Sequence, residues 1–208
     1  MSAINRIRAR LRPLAEILRY SDARRDFLWE LRRRREGEPS LPEGPVRNVL
    51  VVCLGNICRS PFAEHLLAAK CPQLIVRSGG FQARDGDPAE PDAIRVAVEF
   101  GADLSAHRAR RITREHVEWA DLIVGMTGRH HKMVRDRWPE HAPKVRMLGD
   151  FLDTPPHAIA DPWGCPEAEF RSVYRQIRVA TTRLSACLAA HPVGTSDTRT
   201  GVPNLGAR

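Results

Sequence analysis

The hydrophobic positions of this chain change their period partway along. Ile4, Ile7, Leu11, Leu14 and Leu18 recur every three or four residues, which aligns them on one helical face. Pro13 falls inside that run and predicts a kink, or a second helix starting there. Ser21, a good N-cap, precedes another helix with Ala23, Phe27, Leu28 and Leu31 on one face. Arg32 to Arg35 close it, where cations suit the negative end of the helix dipole. Gly37 to Pro45 is rich in Gly and Pro and reads as a linker.

From Arg47 onward, short apolar runs alternate with helical stretches. Val49–Val52 has the β-branched character of a buried parallel strand. Pro61 opens a helix that turns Leu66 and Leu67 inward. Leu74–Val76 is a second strand, and Pro91–Phe100 a helix ending at Gly101. Leu122–Val124 is a third strand, followed by a helix from Thr127 to Trp138 that Pro139 stops. Val145–Leu148 is a fourth strand. Pro166 opens a long last helix with Phe170, Val173, Tyr174, Ile177 and Leu184 on one face. The alternation predicts an α/β fold, an open four-stranded parallel sheet with helices on both faces. Residues 1–45 then form a helical arm and linker, 46–191 one α/β domain, and 192–208 a disordered tail.

Composition narrows the function classes. The 208 residues are 42% hydrophobic and 28% charged, which suits a packed core. No stretch approaches the roughly 18 apolar residues of a membrane span, and the amino terminus lacks a secretory apolar segment. Five cysteines at irregular spacing argue for reduced thiols, so a cytoplasmic location is expected. The net charge of +8 invites anionic partners. Half of that excess lies in residues 1–45, where 11 arginines face seven acidic residues. The arm's apolar stripes are expected to pack on the domain or on a second copy, with an anionic surface as the alternative. The mixture of charges there argues against nucleic acid.

The chemistry is concentrated in residues 49–61, VLVVCLGNICRSP. A hydrophobic strand ends at Cys53, a short loop follows, and a helix begins. Ligands of such sheets bind at the carboxyl ends of strands, against helix N-termini. Gly55 lets the loop curl so that its N–H groups converge, and Arg59 adds a fork of donors matched to phosphate oxygens. The same positive surroundings favour the thiolate of Cys53, to which the Ser60 hydroxyl can donate. The loop Leu54, Gly55, Asn56, Ile57, Cys58, Ser60 is therefore read as an anion cradle with a nucleophile at its base.

This string resembles the low-molecular-weight protein tyrosine phosphatase family over about residues 47–190. The resemblance implies that Cys53 is the nucleophile and that Arg59 binds phosphate and stabilises the transition state. Asn56 and Ser60 would shape the loop, and His107, in LSAHRAR, would join their network. The family's general acid, in an Asp-Pro pair before the last helix, falls on Asp161 of IADPWG. Leu54, Trp163 and Phe81 would wall the substrate pocket, with Arg84 as the alternative to Phe81. The second loop cysteine of the family can form a reversible disulfide with the nucleophile, which would pair Cys53 with Cys58. No cofactor and no metal are implied. His130 and His131 are read as a solvated helix face, and Cys71, Cys165 and Cys187 as packing or incidental residues.

The expected activity is hydrolysis of phosphotyrosine in proteins through a phosphocysteine. Arsenate reductases of the same fold need relay cysteines in the middle of the chain, and residues 72–164 contain none. Arginine phosphatases carry Thr where this chain has Ile57. A non-catalytic phosphate-binding or docking protein is the remaining alternative, opposed by the joint presence of Cys53, Arg59 and Asp161.

Overall fold

In the computed structural model, which describes Leu31 and residues 40–192, four parallel strands form one sheet in the order β2-β1-β3-β4. They are β1 (Asn48–Cys53), β2 (Ile75–Gly80), β3 (Leu122–Gly125) and β4 (Val145–Met147). Every residue of β1 is buried, as a central strand covered on both faces requires. Its registers pair Val49 with Val76 and Leu122, and Cys53 with Gly80. The carboxyl ends of β1 and β2 thus finish side by side.

Among the described residues five α-helices cover the sheet: α1 (Arg59–Lys70), α2 (Pro91–Val98), α3 (Arg114–Trp119), α4 (Gly128–Arg137) and α5 (Glu167–Ala189). Alternate strand residues face opposite ways, so the sheet has two cores. On one face, Val49, Val51, Val76, Leu122 and Val124 pack with Leu66 and Leu67 of α1 and with Phe170, Tyr174, Ile177 and Leu184 of α5. On the other, Leu50, Val52, Ile123 and Val145 pack with Val117 and Trp119 of α3 and Val134 of α4. The Phe62 and Tyr174 rings stack 3.8 Å apart between α1 and α5, with Phe100 edge-on to both.

All four expected strands are present. β2 runs four residues farther than Leu74–Val76, because Ser78, Gly79 and Gly80 continue the ladder beside β1 without an apolar signal. β4 ends one residue earlier, where Leu148–Phe151 tightens into a 3₁₀ turn. The sequence reading missed α3, a helix of six residues and too short to show a period. Both α3 and α4 start with a Thr-x-x-His form of the capping box. Nδ1 of His116 accepts the Thr113 N–H at 3.0 Å, and Nδ1 of His130 accepts the Thr127 N–H at 3.1 Å.

That cap overturns the reading of His130 as solvated. Its ring is buried and lies 5.9 Å from Phe81, whereas His131 is half-buried. The linker reading also changes at its end. Pro42 is buried and Leu41 packs on the core, the Val46 N–H donates to the Pro192 carbonyl at 3.1 Å, and His191 bonds the Gly44 carbonyl at 2.7 Å. Two apolar side chains in a Pro-rich segment are enough to hold it against the domain. The helices read over residues 4–35, apart from the helical Leu31, and the tail from 193 lie outside the described residues.

Two outcomes follow from this packing. The Tyr174 hydroxyl donates to the buried carbonyl of Cys58 at 3.0 Å, tying α5 to the first turn of α1. Tyr174→Phe is expected to cost about 1–3 kcal/mol, read by chemical denaturation, because it leaves that carbonyl without its donor. The second concerns pH. Burial lowers the proton affinities of His107, His116 and His130, the last to about 3 with Arg59 adding to the effect. The unfolded chain takes up these protons near pH 6.5 while the folded chain resists, so stability falls as pH drops below that value. His130 alone contributes a slope of roughly 1.4 kcal/mol per pH unit. In His130→Gln, which keeps a capping acceptor but cannot titrate, the decline from neutral pH to about pH 5 is expected to be shallower. An unchanged slope would contradict the assignment.

Candidate active site

β1 delivers Cys53 to the floor of the loop, and the first turn of α1 delivers Arg59 and Ser60. Between them Asn56 turns the chain with φ of 56°, a left-handed conformation that Asn tolerates better than most residues. Its side chain is fully used. Nδ2 donates to the Ser60 hydroxyl at 2.9 Å and to the Ser78 hydroxyl at 2.8 Å, while Oδ1 accepts the Arg110 N–H at 2.9 Å. His107 Nε2–H donates to the Asn56 carbonyl at 2.7 Å. One buried amide therefore joins the loop to β2 and to the strip of residues 107–111.

Other contacts fix the rest of the loop. The Phe81 and Gln82 N–H groups donate to the carbonyls of Cys53 and Leu54, and the Glu90 N–H to that of Ile57. Gly80 is required for the close approach of β2, since a Cβ there would lie 2.6 Å from the Leu54 carbonyl oxygen and 2.9 Å from the Asn56 nitrogen.

Cys53 is 2% exposed, and two groups address its sulfur. The Asn56 N–H donates to Sγ at 3.2 Å, and the Ser60 Oγ lies 3.0 Å away. With the sulfur as thiolate, the Ser60 hydroxyl donates its proton while its oxygen accepts from Asn56. Cys58 sits in different surroundings. Burial pushes its thiol well up, and the nearby Cys53, Asp161 and Glu90 add to that, so it stays protonated. All five cysteines are free thiols.

Arg59 is buried and orients its guanidinium through two acceptors from the loop before α5. Nη1 donates to the Ile159 carbonyl at 3.2 Å, and Nη2 forms an ion pair with Asp161 Oδ2. Its Nε–H is buried and has no acceptor among the described residues. A tetrahedral oxyanion held above Cys53 would supply one. The Asp161 side chain is 44% exposed and its second oxygen accepts the Trp163 N–H at 3.3 Å.

The sequence-selected residues thus converge, with one exception. Cys53, Leu54, Asn56, Ile57, Cys58, Arg59, Ser60, His107 and Asp161 are joined by the contacts above, and Gly55 lies between two of them in the loop. Trp163 stands at the rim, 67% exposed, and Leu54 is half-buried against the second core. Phe81 departs from its expected place in the pocket wall. It is 2% exposed and belongs to the core of Leu50, Val52 and Ile123, because it continues the alternation of β2 on the side of Ile75, which packs against that core. Sequence reasoning missed Ser78, the Ile159 carbonyl and the Tyr174 hydroxyl. Ser78 had a signal in the Ser-Gly-Gly run ending β2, since paired glycines at a strand end mark close backbone approach. The other two had none.

Comparison with known proteins agrees with this geometry. Residues 48–193 match the family model described as low molecular weight phosphotyrosine protein phosphatase. The chain is 38% identical over 146 residues to the low molecular weight protein-tyrosine-phosphatase Wzb of Escherichia coli strain K12, covering 70% of this chain and 98% of that protein. It is 36% identical over 138 residues to a protein-arginine-phosphatase of Geobacillus stearothermophilus, covering 66% and 93%. The crystal structure of the Erwinia amylovora tyrosine phosphatase AmsI is similar with a TM-score of 0.67 and 32% identity, over 73% of this chain and 97% of that one. The chain therefore belongs to the low molecular weight phosphotyrosine protein phosphatase family, a family of phosphatase enzymes.

Proposed function

We propose that this phosphatase hydrolyses phosphotyrosine in proteins by way of a phosphocysteine at Cys53. The observation that carries the reading is the arrangement of the Cys53 sulfur, which receives hydrogen bonds at the floor of a loop whose Arg59 is paired with an exposed-side Asp161. Loop N–H groups and Arg59 hold the phosphoryl oxygens. The thiolate attacks phosphorus as the bond to the tyrosine oxygen breaks, and Asp161 gives that oxygen its proton. Water then attacks the phosphocysteine, Asp161 takes a proton from it, and the thiolate leaves. Because Arg59 serves both Asp161 and phosphate, an arriving phosphoryl group competes with the carboxylate and frees it toward the leaving oxygen.

Ile57 supports phosphotyrosine over phosphoarginine, since the arginine phosphatases that this loop resembles carry Thr there. The free thiols support a reducing, cytoplasmic location. Among the described residues no helix is long and apolar enough to cross a membrane. For residues 1–45 we assign packing on the domain or self-association, with an anionic surface as the alternative, and no nucleic-acid partner.

Cys53→Ser is expected to abolish turnover of p-nitrophenyl phosphate while retaining vanadate binding; substantial residual hydrolysis would sink the mechanism. Asp161→Asn is expected to lower kcat/KM, which reports the step that releases the leaving group, by about 10²–10⁴ on phosphotyrosine peptides and by much less on p-nitrophenyl phosphate, whose leaving group needs no proton. An equal loss on both substrates would move the proton donor elsewhere. Faster turnover of phosphoarginine than of phosphotyrosine peptides would replace the assigned substrate.

A further inference from the structure

The surface arginines of this protein differ in their partners. Four away from the catalytic loop are neutralised by carboxylates: Arg95 with Asp92 and Glu167, Arg114 with Glu118 and Glu140, Arg171 with Glu99 and Glu167, and Arg183 with Asp153. Arg137 and Arg178 lie over the Phe81 and Phe100 rings instead. Beside the loop four arginines cluster without a carboxylate. Arg84, Arg108 and Arg111 are exposed and Arg110 is half-buried, and among the described residues none of the four forms an ion pair with a carboxylate. Their guanidinium contacts are to backbone carbonyls instead: Arg108 to Ser105 and His107, and Arg111 to Ala83. Asp85 is near, but its Oδ1 accepts the Arg111 N–H at 2.6 Å.

Backbone pairing places this strip against the site. Gly80 exchanges hydrogen bonds with Arg110 and Ile112, Gln82 donates to Leu54, and Pro88 bridges to Arg108. Arg110 and His107 touch Asn56 itself. Four cations without a carboxylate partner among the described residues therefore sit on segments that pair with the loop and with β2 beside it. The free guanidiniums have their donors available for carboxylates or further phosphates.

Resting on the phosphatase reading above, we infer that the substrate segment is acidic, a phosphotyrosine flanked by Asp, Glu or further phosphorylated residues, and that Arg84, Arg108, Arg110 and Arg111 select it. The charges act outside the chemistry. They raise capture of an acidic segment and leave a substrate without flanks unaffected.

The test uses the full chain and two phosphotyrosine peptides, one with three acidic flanking residues and one with Asn and Gln in their places. At low salt the acidic peptide is expected to have a kcat/KM higher by about three- to thirtyfold, the yield of a few exposed charge pairs. High salt is expected to erase most of the difference. Arg108→Gln/Arg111→Gln is expected to remove most of the preference while turnover of p-nitrophenyl phosphate stays within about twofold, with Arg108→Gln alone as the second variant if the pair fails to fold. Equal kcat/KM for the two peptides, with p-nitrophenyl phosphate still hydrolysed, would overturn the inference and leave the phosphatase reading intact. Failure on every phosphate ester would overturn that reading instead. Retention of anionic phosphatidylserine vesicles, lost in the double variant and unaccompanied by a peptide preference, would assign the strip to a lipid surface and reject the acidic segment.

Discussion

The site depends on the side-chain amide of Asn56. A left-handed residue in the middle of a phosphate loop is a local cost, sustained only where surrounding contacts over-determine it. Here four hydrogen bonds do so, to Ser60, to Ser78, from the Arg110 N–H and from His107. The four partners come from three parts of the fold: Ser60 from α1, Ser78 from β2, and Arg110 and His107 from the strip that pairs with Gly80. The parallel order β2-β1-β3 puts those parts at one edge, so sheet topology is converted into loop shape through a single buried amide. With the loop set, Asn56 and Ser60 both address the Cys53 sulfur.

The same contacts explain why two loop cysteines five residues apart differ chemically. Cys53 has donors aimed at its sulfur. Cys58 lies one turn on, buried toward α5, with its carbonyl held by Tyr174 and its thiol pushed up by burial. Arg59 links the loop to a distant part of the chain through Ile159 and Asp161, so Cys53, Arg59 and Asp161 meet only in the folded protein. The arginines outside the loop add a field and no chemistry.

Much of this was legible in the sequence, for identifiable reasons. Val49–Val52 is apolar at every position, which only a strand buried on both faces permits, and Cys-x-Gly-Asn-x-Cys-Arg-Ser-Pro packs nearly the whole cradle into contiguous residues. Long-range partners left no such trace. Tyr174 reads as one more apolar position on α5, and nothing in its spacing reveals that its hydroxyl reaches Cys58. His130 was misread because a polar residue on a helix was taken as solvated, when its Nδ1 is an N-terminal cap and its ring is core. Phe81 was misplaced because the alternation of β2, read as ending at Val76, was not carried on to it. Ser78 and the Gly79-Gly80 pair lack hydrophobicity, so β2 looked shorter than it is.

The central claim is that Cys53 is covalently phosphorylated during turnover. Asp161→Asn mixed with p-nitrophenyl phosphate tests it directly, because this leaving group needs no acid whereas hydrolysis of the intermediate needs the base. Intact-protein mass spectrometry of the quenched reaction is predicted to find one added phosphoryl group, mapped to Cys53 and absent from a Cys53→Ala/Asp161→Asn control. An adduct on another residue, or a burst of nitrophenol with no adduct at all, would contradict the account.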